Sequence, residues 1–67
     1  MEISLNGAPH SFGGENLIDL LAEQAIDLGK RGVAVAVNDA IVPRAEWTTA
    51  SLNPGDAVEI VRPHSGG

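Results

Sequence analysis

The apolar residues of this chain change their spacing twice within 67 positions, and that change limits the folds open to it. Met1, Ile3 and Leu5 alternate with Glu2 and Ser4, the period of a half-buried strand. Asn6-Gly7 then marks a tight hairpin, because a type I′ turn needs positive φ at both central residues. Ala8 to Phe12 is the return strand, and Pro9, which has no N–H to give, assigns it to a sheet edge. From Asn16 the period becomes helical: Leu17, Leu20, Leu21, Gln24, Ala25 and Leu28 recur on one stripe. Asn16 is the expected N-cap and Gly29 the expected stop, with Lys30 and Arg31 at the negative end of the helix dipole.

From Val33 the strand period returns. Val33, Val35 and Val37 alternate with Ala34 and Ala36, so the second face carries only small side chains. Asn38-Asp39 is a turn, Ala40 to Val42 is short and extended, and Pro43 stops it. Arg44 to Trp47 reads as one helical turn, with Trp47 as a large core plug. Asn53-Pro54-Gly55-Asp56 is a turn in which proline presets φ and glycine permits a positive φ. Ala57 to Arg62 is the last strand, with Val58 and Ile60 on one face and Ala57, Glu59 and Val61 on the other. Hairpin, helix, two strands, turn, strand is an α+β plan: one amphipathic helix covers one face of a mixed sheet of four to five strands. The expected division is a folded domain over 1–62 and a flexible tail over 63–67.

Composition narrows the function classes. A chain this short buries only about 60% of its unfolded surface, which leaves room for one thin core and none for a deep cleft. Four Lys and Arg against nine Asp and Glu give a net charge of −5, which disfavours nucleic acid and suits a more basic protein partner. There is no cysteine, so thiol catalysis, disulfides and thiolate metal sites are absent. His10 and His64 are far apart and lack metal-ligand spacing. No apolar run approaches the roughly 20 residues of a membrane span, and the start of the chain is not patterned as a targeting peptide. The expectation is a cytoplasmic protein, monomeric alone, that binds no metal, and an enzyme in its own right is the weakest reading of such a sequence.

Three stretches carry a resemblance. Val37-Asn38-Asp39-Ala40-Ile41-Val42-Pro43-Arg44, followed by Trp47, resembles the central signature of the thiamine-biosynthesis sulfur carrier family, ThiS. Leu52-Asn53-Pro54-Gly55-Asp56-Ala57-Val58-Glu59-Ile60 is similar to the turn and last strand of β-grasp, or ubiquitin-like, proteins in general. Gly66-Gly67 is similar to the diglycine on which such carriers end.

The resemblance implies a β-grasp fold and a cycle of reactions on the tail. An adenylating enzyme of the ubiquitin-activating type uses ATP to convert the Gly67 carboxylate into an acyl adenylate. Sulfur from a cysteine desulfurase or another persulfide donor replaces AMP and leaves a thiocarboxylate, which thiazole synthase draws on. The carrier holds no cofactor of its own; ATP belongs to the adenylating partner. Gly67 is then the modified residue, with Gly66 and Ser65 threaded into partner active sites. The chemistry suits glycine: a tail without side chains is the narrowest probe a globular domain can insert into another protein's pocket.

Other residues admit two readings. Val61, with Glu59 beside it, is either a docking anchor or an isolated exposed valine. Ala34, Ala36 and Ala57 either extend a flat docking face or simply pack under neighbours. Arg44 pairs with a partner's carboxylate, or is solvated, or bridges to Glu46. His64 is either a proton donor beside the reacting acyl group or a tail residue without a role, and the resemblance does not demand histidine there. Competing functions are a carrier for molybdopterin or cysteine synthesis, a ubiquitin-like modifier of lysines, and a β-grasp interaction module.

Overall fold

A computed structural model describes residues 1–63. Five strands form one mixed sheet: β1 (Glu2–Leu5), β2 (Ala8–Ser11), β3 (Ala34–Val37), β4 (Ala40–Ile41) and β5 (Ala57–Val61), in the order β2-β1-β5-β3-β4. β1 and β5 are parallel at the centre, and every other pair is antiparallel. One helix, α1 (Leu17–Glu23), and one 3-10 turn, η1 (Arg44–Glu46), complete the fold. This is the β-grasp arrangement that the resemblance implies. Strand ends differ by a residue from the sequence reading, the normal fraying of element boundaries.

The turns form for the local reasons the sequence supplies. Asn6 and Gly7 take φ of 50° and 83°, and β2 lies at the sheet edge where Pro9 costs no ladder hydrogen bond. Asn38 and Asp39, at 52° and 68°, make a second tight hairpin turn that sets Val37 opposite Ala40. Gly55 at 86° accepts the bend after Pro54, closed by the Asp56 N–H donating to the Asn53 carbonyl at 3.1 Å. Two asparagines lock these turns to β5. Asn6 Oδ1 accepts from the Ile60 N–H at 2.8 Å. Asn38 accepts from the Ala57 N–H at 2.9 Å and donates to Asp56 at 3.0 Å.

The core lies between the sheet and α1. Ile3, Val35, Val58 and Ile60 face Leu17, Leu20 and Leu21, and Phe12, Trp47 and Leu52 close the ends. No polar or charged side chain is buried among the described residues. Trp47 is 3% exposed, and its indole N–H donates to the Val42 carbonyl at 2.9 Å, so its one polar atom is satisfied.

The helix is shorter than its apolar stripe suggests. It spans seven residues and ends at Gln24, not at Gly29. Ala25 adopts φ of 57°, and the Ile26 N–H turns back to the Leu21 carbonyl at 2.9 Å. The physical reason is Ile26. Nine residues after Leu17, at about 100° per residue, it would stand half a turn away from the core stripe if the helix continued. Ending the helix buries Ile26 and leaves Leu28 45% exposed, outside the stripe it was assigned to. Lys30 and Arg31 are therefore loop residues and do not cap the helix end. At the start of α1, Asn16 is the N-cap as expected, and the Asp19 carboxylate accepts from its backbone N–H at 3.3 Å.

His10 on β2 and Glu23 on α1 tie the sheet edge to the helix, with His10 Nε2 2.7 Å from the Glu23 carboxylate. That contact, aided by the Gln24 amide, holds the Glu23 carboxyl below its ordinary value of 4.5. A depressed carboxylate stabilises the fold above its unfolded pKa and loses that contribution as pH falls through its folded pKa. Glu23→Gln is thus expected to melt slightly below the unmodified chain above pH 4.5, with the gap closing at more acid pH. Melting curves across that range check the sign.

Candidate functional site: the bare sheet face and the root of the tail

The helix covers one face of the sheet and leaves the other open. Alternation along β5 turns Val58 and Ile60 inward and Ala57, Glu59 and Val61 outward. Register then decides their neighbours. Val61 stands opposite Ala34, and Glu59 opposite Ala36, which in turn stands opposite Ile41 on β4. The alanines are low, so the two large apolar side chains rise from the face: Ile41 is 71% exposed and Val61 61% exposed. Two such residues on a small-residue floor, with one carboxylate between, present a flat apolar surface rimmed by charge. The sequence reading sets Val61, Glu59 and Ala57 on one face of the last strand, as the structure has them, leaves the part of Ala34 and Ala36 open, and passes over Ile41. Both residues of β4 are exposed, and only the pairing of Ile41 with Ala36 puts it on this face.

β5 ends on this face at Val61, and the two residues that follow it are held. The Arg62 guanidinium donates to the Gln24 carbonyl at 2.7 Å, satisfying a helix-end acceptor that α1 leaves open. Pro63 packs on Gly32, where an added Cβ would stand 3.3 Å from the proline ring. Gly32 also has φ of 90°, a region costly for any residue with a Cβ. Gly32→Ala is therefore expected to lose about 1–2 kcal/mol of stability. That lowers Tm by roughly 4–8 °C per kcal/mol in a domain of this size, readable by thermal melting.

Arg44 does not bridge to Glu46. Its guanidinium donates to the Leu28 carbonyl and, at 2.7 Å, to the Lys30 carbonyl, while lying 4.6 Å from the centre of the Trp47 ring. It therefore pins the segment between α1 and β3 against the core. Among the described residues, no group of three or more His, Asp or Glu is placed to hold a metal ion. An open hollow of about 190 Å³ lies at the tail root, lined by Ala25, Ile26, Asp27, Lys30, Val33, Arg62 and Pro63. His64, Ser65, Gly66 and Gly67 lie outside the described residues.

The sequence model of the ThiS family matches residues 3–67, nearly the whole chain and including the diglycine. This chain belongs to the ThiS family. Two relatives bracket it. A sulfur carrier protein ThiS of Thermus thermophilus is 36% identical over 94% of this chain and 95% of its own length. A thiazole synthase of Paramagnetospirillum magneticum is 35% identical over 100% of this chain, which spans only 20% of that protein. The fold agrees. The crystal structure of a ThiS protein from Geobacter metallireducens superposes with a TM-score of 0.80 at 27% identity, covering 100% of both chains. Its solution structure gives 0.81 at 27% identity, covering 100% of this chain and 88% of that one.

No described helix of this ThiS-family chain is long and apolar enough to cross a membrane.

Proposed function

We propose that this chain is the sulfur carrier of thiamine biosynthesis, a protein cosubstrate rather than an enzyme, and that Gly67 carries the sulfur. The observation that supports it most is the family match running through Gly66-Gly67, on a fold whose bare apolar face includes Val61, the last residue of β5. An adenylating enzyme of the ubiquitin-activating type activates the Gly67 carboxylate with ATP, releasing pyrophosphate. Adenylation is needed because a carboxylate oxygen leaves badly and its charge repels nucleophiles. The terminal sulfur of a persulfide, from a cysteine desulfurase or another donor, attacks the acyl carbon and AMP leaves. A thiol then cuts the sulfur–sulfur bond, forming a disulfide and leaving the thiocarboxylate. Thiazole synthase takes that sulfur, and the relative in which a ThiS-like stretch occupies 20% of a thiazole synthase supports this partner.

Docking falls to Val61, Glu59 and Ile41, with Ala34 and Ala36 as a floor that lets a partner approach closely. Arg44 contributes by holding the neighbouring segment in shape. Val61→Asp and Ile41→Asp each place a charge in an apolar contact, and interface anchors of this kind are worth about 2 kcal/mol or more. Each is expected to raise the KM for the carrier in adenylation by roughly tenfold or more, with kcat and Tm little changed. Unchanged KM in both would remove the sheet face from the docking surface.

A further inference from the structure

The chain has four cationic side chains, Lys30, Arg31, Arg44 and Arg62, against nine carboxylates. They lie far apart in sequence, yet all four converge on the segment from Gln24 to Gly32. Lys30 and Arg31 belong to it. Arg44 holds its Leu28 and Lys30 carbonyls, and Arg62 holds its Gln24 carbonyl. Lys30 and Arg62 line one hollow together with Pro63, and Gly32 packs on that proline. Of the nine acids only Asp27 lies in the segment, and its carboxylate accepts from the Gly29 N–H at 2.9 Å. Glu23, just before it, is turned to His10, and Glu59 lies on the outward face of β5.

Structural need accounts for Arg44 and Arg62. It does not account for Lys30 and Arg31, which are exposed and form no ion pair with a described residue. A molecule of net charge −5 thus carries a positive pole where the chain leaves the folded domain. Such a pole meets a negative surface first and turns the tail toward it, which raises the rate of productive encounter.

We propose that Lys30 and Arg31, backed by Arg44 and Arg62, form a basic collar that recognises a carboxylate-rich rim around the opening by which the adenylating partner admits the tail. The proposal rests on the carrier reading above. Carboxylates of the partner, rather than the phosphates of ATP, are the match. Gly67 lies four residues beyond Pro63, so a tail drawn out straight spans roughly 13–14 Å. ATP must meet the Gly67 carboxylate, a full tail length from the collar.

The test uses the whole chain with its adenylating partner, in steady-state adenylation and in direct binding titration without ATP, from about 50 to about 200 mM salt. For the unmodified chain, kcat/KM and affinity fall as salt rises. Lys30→Glu/Arg31→Glu is expected to raise the carrier KM about tenfold at low salt, with kcat and the KM for ATP unchanged, and to flatten or invert the salt dependence. Lys30→Gln/Arg31→Gln falls between the two. Tm moves little, since both side chains are exposed. An unchanged carrier KM or salt slope overturns the collar. Equal losses in the Glu and Gln pairs with the salt slope intact overturn it also, by pointing to shape rather than charge. A raised KM for ATP overturns the choice of carboxylates. An unmodified chain that binds the enzyme with the expected salt slope but is never adenylated overturns the carrier reading and leaves the collar standing.

Discussion

Trp47→Ala is expected to leave the domain largely unfolded at 37 °C. Removing a buried tryptophan costs about 3–5 kcal/mol. A domain of this length holds only roughly 3–10 kcal/mol in total, at about 0.05–0.15 kcal/mol per residue. Three losses coincide at this one position. The ring fills the end of the core at 3% exposure, its N–H satisfies the Val42 carbonyl, and its face carries the Arg44 guanidinium. Without the ring Arg44 loses its support, and through it the segment that seats the tail root. Trp47→Phe separates the terms, because it keeps most of the volume and gives up the hydrogen bond at about 1 kcal/mol. Urea unfolding of both variants reads the difference. A loss under 1 kcal/mol in Trp47→Ala would mean that Trp47 is not the plug described.

Deletion of Gly67 is expected to lower adenylation by more than a hundredfold while leaving docking intact. The shortened tail ends about 3.3–3.6 Å early, and a misplacement of about 1 Å at a reacting centre already costs roughly a hundredfold. The deletion removes none of residues 1–63, over which the fold is described. The truncated chain should therefore compete with the intact one for the adenylating enzyme, with an inhibition constant near the carrier KM. Steady-state inhibition measures this directly. Loss of both adenylation and competition would instead place Gly67 in the docking contact.

What was legible in the sequence follows a physical line. Asn6-Gly7, Pro9, Asn16, the Asn53-Pro54-Gly55-Asp56 turn and the inward alternation of Val58 and Ile60 are set by φ, by a missing N–H, by a cap or by period. Each acts within a few residues, and the structure places each as expected. The misread features are set by contacts across the chain. The helix runs past its true end in the sequence reading because the stripe through Leu28 carries no sign that Ile26 will be drawn into the core. Lys30 and Arg31 were then assigned to a helix end that lies further back. Arg44 gives no local hint that Leu28 and Lys30 carbonyls will fill its guanidinium. Arg62 reads as a strand end until the Gln24 carbonyl is found beneath it. Ile41 becomes a surface residue only once β4 is paired to β3. The reading of Gly66-Gly67 has a different basis, a family resemblance rather than local physics, and the family match runs through the pair.

The most direct test of the central claim is the mass of the protein after incubation with ATP, the adenylating partner and a persulfide source. The expected gain equals the mass of sulfur minus that of oxygen, confined by fragmentation to Gly67. Oxidation of Met1 or Trp47 adds nearly the same mass, so a thiol-alkylating reagent must also capture the product. In a chain with no cysteine, an alkylated Gly67 has one source, the thiocarboxylate. Full-length protein that gains no alkylatable sulfur, with a partner shown to be active on its own carrier, would contradict it.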